Sequence, residues 1–133
     1  MEHTPARALQ RTPQPEEHFT GKAWMETLSQ GDDRVLNAIS VTFESGARTH
    51  WHSHPQGQVL YVMSGHGRGG NEAGDFVEFA TGDVIYSEPG ELHWHGASPD
   101  SPMSHLSLTT GGATQWEPRP VSDEEYDNGQ PGG

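Results

Sequence analysis

ARTHWHSHPQGQVLYVMSG, residues 47–65, holds the pattern from which the rest of the chain is read. Side chains two residues apart on a β-strand share a face. In the first run, residues 47–54, His50, His52 and His54 therefore point one way, and Trp51 and Ser53 the other. The second run, residues 58–65, is rich in β-branched and aromatic residues and ends at Gly65. Between them Pro55-Gln56-Gly57 is a turn signal. A strand face lined with imidazoles is costly to bury unless the polar groups have partners, so the pattern asks for a chemical reason.

Working outward, six further runs have the same character: FTGKAWMETL (19–28), RVLNAISVTF (34–43), DFVEFA (75–80), DVIYSE (83–88), LHWHGA (92–97) and SHLSLTT (104–110). Each is close to ordinary strand length and bounded by Gly, Pro, Asp or Asn. Eight such runs without a long helical pattern predict an all-β sandwich or barrel. Composition agrees: 30% hydrophobic residues against 17 Gly and 10 Pro favours short elements joined by turns. At 133 residues the chain is long enough for one core. Residues 1–17 are polar and proline-punctuated and read as a flexible arm, residues 18–126 as a single domain, and 127–133 as a disordered tail. Ser122 and Glu125 have the spacing of a capping box, which predicts one short helical turn.

The formal charge is −12, from 19 acidic against seven basic residues. Such a surface repels nucleic acid and anionic membranes, and no apolar run approaches the roughly 20 residues of a membrane span. A small-molecule partner is expected instead. MEHTPARALQRTPQPEEH lacks the apolar core of a signal peptide, which makes the cytoplasm the expected compartment. With no cysteine, thiolate metal sites are excluded.

Histidine supplies the chemistry. His93 and His95 share a face opposite Trp94, and His105 shares one with Ser107 and Thr109. Together with His50, His52 and His54, six of the nine histidines lie on runs that can face a common interior. Neutral imidazole is the commonest protein metal ligand, and two at i and i+2 on a strand can converge on one ion. His3, His18 and His66 sit in arm or turn contexts and read as surface residues. Ile39, Val41 and Thr109 would line the same interior by alternation. Trp51 and Trp94 point away from it and, with Trp24, are expected to pack between sheets or at a contact between two copies.

Gly46, five residues, His52-x-His54, three residues, Gln58, six residues and Gly65 resembles the first motif of the cupins, with Gln where Glu is usual. Gly82, Gly90 and His93 resemble the second, with Pro89 one position late and Ala97 in place of a closing Asn. The likeness spans residues 35–110 and implies a double-sheet jelly-roll barrel. VTFESGARTHWHSHPQGQ and PGELHWHGASPDSPMSHLSL further resemble the small manganese-dependent cupin hydroxynitrile lyases of bacteria. By that resemblance His52, His54, Gln58 and His93 hold the metal, while His95 and His105 are acid/base residues of the pocket. One divalent transition metal per chain is implied, Mn(II) favoured, with Fe(II), Zn(II), Ni(II) and Co(II) compatible with a nitrogen and oxygen ligand set. A homodimer is expected, as small cupins commonly pair. The resemblance leaves His50 without a role, and an iron-dependent dioxygenase, an isomerase and a simple binding barrel remain as alternatives.

Overall fold

The computed structural model describes residues 1–31 and 34–129. Among them the strands are β1 (Thr12–Pro13), β2 (Phe19–Thr20), β3 (Ala23–Ser29), β4 (Leu36–Phe43), β5 (Arg48–Thr49), β6 (His52–Ser53), β7 (Gln58–Asn71), β8 (Phe76–Ala80), β9 (Val84–Ser87), β10 (His93–Ala97), β11 (Met103–Thr110) and β12 (Gln115–Trp116). A helix, α1 (Asp123–Asn128), follows, and Ala6–Ala8 makes one 3-10 turn. All eight runs recognised in the sequence contain strand. Every strand pairing is antiparallel, and the curled sheets form the jelly-roll half-barrel of the expected all-β class.

Two layers share one long strand. The first runs β1-β3-β4-β11-β7-β9, and the second places β10 between the far half of β7 and β5, with β2, β6, β8 and β12 around them. β7 changes layers at Gly65, which has φ +79°, and a Cβ there would lie 1.9 Å from the Pro102 carbonyl oxygen. Only glycine fits such a corner. The sequence reading stopped the strand at Gly65, yet it continues through HGRGG to Asn71. Gly67 and Gly69 let β10 and the Phe79 ring approach where any Cβ would collide.

The main core, between the layers, is built on Phe19, Val41, Phe43, Val62, Phe79 and Met103. A second cluster lies on the opposite side of β10, where Trp51 and Trp94 pack with Val121 and Tyr126 beneath α1. Alternation along β10 therefore sends His93 and His95 to one side and Trp94 to the other, and all five residues of the strand are buried. Trp24 does not join the other two indoles; it lies on the edge layer, paired with Pro13, under the Arg11 guanidinium.

The helix has the expected capping box. Ser122 Oγ accepts from Glu125 N–H at 3.1 Å, and Glu125 Oε1 accepts from Ser122 N–H at 2.9 Å. Tyr126 Oη donates to Ala97 O at 2.5 Å, and the Arg48 and Arg68 guanidinia lie 4.4 and 5.0 Å from its ring centre. The helix is thereby fastened to the back of the strand that carries His93 and His95.

Local structure extends into the segments on either side of residues 18–126. Part of the expected arm is held in place: β1 pairs with β3, and Gln14 N–H donates to Ala23 O at 2.9 Å. In the expected tail, Asp127 and Asn128 complete the helix and Gly129 caps it, while residues 130–133 lie outside the described residues. Residues 47–54 are two short strands, not one. At the break His50 N–H donates to His18 O and Trp51 N–H to Arg119 O, turning the indole into the second core. Strict alternation fails across the break, and His50 does not line the interior with His52 and His54.

Candidate metal centre

A cavity of about 670 Å3 opens between the layers. Ile39 and Val41 of β4 and Thr109 of β11 line it, as alternation predicts, together with Phe19, Met25 and Trp116. Its polar lining includes His52, His54, Gln58, His95, His105 and Ser107. No acidic side chain is among its described lining residues, although the chain has 19 acids. Two wall residues were not anticipated. His18, read from sequence as a surface residue, stacks on Trp116 with ring centres 4.1 Å apart and planes 3° apart. Trp116 in turn lies 4.7 Å from the His52 ring. An isolated Trp on a two-residue strand has no periodic signal by which sequence could place it.

The ligand atoms of His52, His93 and His95 all lie within 4.8 Å of one another. Antiparallel pairing brings this about, since β6 sets His52 directly opposite His93 on β10, and His95 follows two residues along the same face. Backbone carbonyls orient two of the rings. His52 Nδ1 donates to His50 O at 2.9 Å and His93 Nδ1 to Glu91 O at 2.8 Å, in each case two residues back. The proton is thus committed to Nδ1, and each Nε2 presents its lone pair inward, which is how metal-binding imidazoles are held. His50 therefore has a part in the site through its carbonyl oxygen, not its ring.

His54 lies at the rim of this group. Its ring centre is 5.1 Å from that of His52 and 5.6 Å from that of His93, and its Nε2 is buried without a protein partner. The Pro55-Gln56-Gly57 turn brings Gln58 back to it. Gln58 Nε2 donates to Ser107 Oγ at 2.8 Å, which leaves Oε1 3.1 Å from His93 Nε2. Two acceptor atoms then face each other in a buried site, an arrangement that a cation relieves. The unpartnered Nε2 of His54 and of His95 adds to the same demand. These donors, all neutral nitrogen or oxygen, fit a divalent transition metal. The structure thus brings His95, expected as an acid/base residue, into the compact three-histidine group, with His54 and Gln58 beside it.

His95 Nδ1 and His105 Nε2 share a hydrogen bond of 3.2 Å, with both rings buried. Burial holds the whole group neutral. It pushes His105 down to about 4. Burial, followed by the neighbouring His93, brings His54 to about 4. His52 and His95 are held well below the usual imidazole value by burial and then by adjacent imidazoles, and His93 is lowered by burial. At neutral pH the lone pairs are available to a metal or to a proton.

Comparison with known proteins accords with this geometry. The model of the Cupin domain family matches residues 39–109. An (R)-mandelonitrile lyase from Granulicella tundricola is 46% identical over 116 residues, covering 84% of this chain and 88% of that protein. A crystal structure of a cupin-like protein from Thermotoga maritima superposes with a TM-score of 0.85 at 35% identity, covering 93% of this chain and 97% of the other. A putative acetylacetone dioxygenase from Methylibium petroleiphilum has a TM-score of 0.70 at 14% identity, covering 92% and 86%, and shares the fold alone. The chain belongs to the cupin family.

Proposed function

Starting from a cupin with a buried histidine cluster, we propose a metal-dependent lyase of the hydroxynitrile lyase type. It would break, or in reverse form, the C–C bond between a hydroxyl-bearing carbon and a small stable anion such as cyanide. The observation that carries this reading is the cavity itself: converging neutral imidazoles and an amide oxygen, with no described acid in its lining. The likeness to a relative named as a mandelonitrile lyase supports it. We take His52, His54, Gln58 and His93 as the residues that hold the metal, Mn(II) favoured. His95 and His105 then move the proton.

When bound, the metal supplies Lewis acidity toward a substrate hydroxyl or carbonyl oxygen. A neutral ligand set leaves the ion its full charge, where a carboxylate at position 58 would offset part of it. The protein residues do the rest. Ile39, Val41 and Thr109 shape the space beside the reacting carbon. His95, kept neutral by burial, accepts the hydroxyl proton, and the 3.2 Å contact lets His105 share it. As the carbonyl forms, the C–C electron pair leaves with cyanide, and the same imidazoles return the proton to give hydrogen cyanide. The described lining, which carries no carboxylate, does not repel the leaving anion.

A second reading rests on the 4.8 Å grouping, which makes His95 a metal ligand and leaves His105 alone as the proton carrier. Metal analysis of the purified protein, with release of benzaldehyde from mandelonitrile measured in air and under argon, tests the function. Turnover independent of oxygen and lost on chelation is expected. Turnover that requires oxygen would replace the lyase with a cupin dioxygenase, and absence of cyanohydrin cleavage would reject the lyase reading.

A further inference from the structure

Ser107 lies on β11, 3% exposed, in the wall of the cavity. Its oxygen accepts the Gln58 amide N–H at 2.8 Å, which is its only side-chain hydrogen bond among the described residues. That contact bears on which end of the amide meets the imidazoles. With N–H on Ser107, Oε1 lies 3.1 Å from His93 Nε2, the atom whose lone pair is free because Nδ1 donates to Glu91 O. The reversed amide would give its N–H to His93 Nε2 instead, closing the amide and the imidazole on each other and leaving neither for a cation.

We propose that Ser107 is a positioning residue that makes Gln58 an oxygen ligand by giving its amide N–H a buried partner. The physical reason is an asymmetry of unmet groups. With the hydroxyl present, which can accept or donate, the end of the amide that faces Ser107 is paired in either orientation, and once a cation takes Oε1 the ligating orientation leaves no group unmet. Without it the ligating orientation strands a buried N–H. The reversed one strands only a carbonyl, which buried sites tolerate better. Removing Ser107 therefore favours the orientation that competes with metal. A glutamate at position 58 has no N–H to strand, so the need for Ser107 is peculiar to the glutamine in this chain.

The inference rests on the reading of Gln58 as a metal ligand and is independent of the reaction. It is tested on metal-free protein titrated with manganese chloride by calorimetry at fixed pH. Ser107→Ala should weaken binding about 10-fold or more, the usual range for a lost partner of a metal ligand being roughly 10–100-fold. Ser107→Thr, which keeps the hydroxyl, should restore it. In the Gln58→Glu variant the same Ser107→Ala change should cost far less. Unchanged affinity in Ser107→Ala overturns the inference, and so does an equal loss in both backgrounds, which would mark a packing role. Gln58→Ala with unchanged affinity would overturn the ligand reading and this inference together, whatever the lyase assay gives. Should Ser107→Ala not fold, Ser107→Gly removes the same acceptor and is read in the same way.

Discussion

Acidification of the metal-free protein puts the buried histidine cluster to a quantitative test. His54 and His105 have their protonation pushed from an ordinary 6.5 to about 4 by burial. A group whose folded value is depressed contributes nothing unfavourable above its unfolded value. It loses stability as pH falls from 6.5 toward the folded value, because the unfolded chain takes up a proton that the folded chain refuses. Each such proton steepens the dependence by about 1.4 kcal/mol per pH unit, so each of these two residues removes roughly 3 kcal/mol between pH 6.5 and 4. His52, His93 and His95 are lowered as well and act in the same direction. Against a total of about 5–15 kcal/mol for a domain this size, two histidines alone remove a large share. The −12 formal charge works in the opposite sense, since protonation relieves self-repulsion. The window from pH 6.5 to 5 isolates the histidines, because carboxylates protonate mainly below it. Urea unfolding of chelator-stripped protein, followed by tryptophan fluorescence, should show stability falling steeply across that window. His105→Gln should flatten the slope by up to one proton. A urea midpoint that does not move between pH 7 and 5 would refute the reasoning, since a cluster that folds without excluding protons cannot be buried and neutral.

Replacing both His52 and His54 by Ala should abolish stoichiometric manganese binding, and the melting temperature should no longer rise on adding metal; metal content by elemental analysis checks it. His105→Ala should keep about one metal per chain while turnover of mandelonitrile falls roughly 100-fold or more, the scale of a lost general base, and loss of metal instead would show His105 to hold the site together. The outer face of β7, β9 and β11 exposes Tyr61, Met63, Val84, Tyr86 and Leu108 without a charge among them. If two copies pair there, Tyr61→Lys with Leu108→Lys should lower the mass measured by light scattering from dimer to monomer at micromolar concentration.

Much of this was legible in the amino-acid sequence because the rules involved are local. Alternation along LHWHGA set His93 and His95 against Trp94, and the structure puts the imidazoles in the barrel and the indole under α1. The same rule placed Ile39, Val41 and Thr109 on the cavity wall. Ser122 and Glu125 formed their capping box because its two hydrogen bonds span only three residues.

The rest depended on contacts between residues far apart in the chain. HGRGG reads as a turn by composition, and becomes strand because β10 and Phe79 need the space that its glycines leave. His50 has the spacing of His52 and His54, yet the backbone breaks there to bond His18 and Arg119, and its carbonyl, not its ring, serves the site. His18 and Trp116, about a hundred residues apart, become one wall only when β12 pairs with β6. Sequence therefore determined which residue types face inward on each strand, since side-chain direction follows from the two-residue repeat of an extended chain. Which of those imidazoles meet within 4.8 Å was decided by strand register, because register is set by pairing across the sheet and has no signature within a single strand.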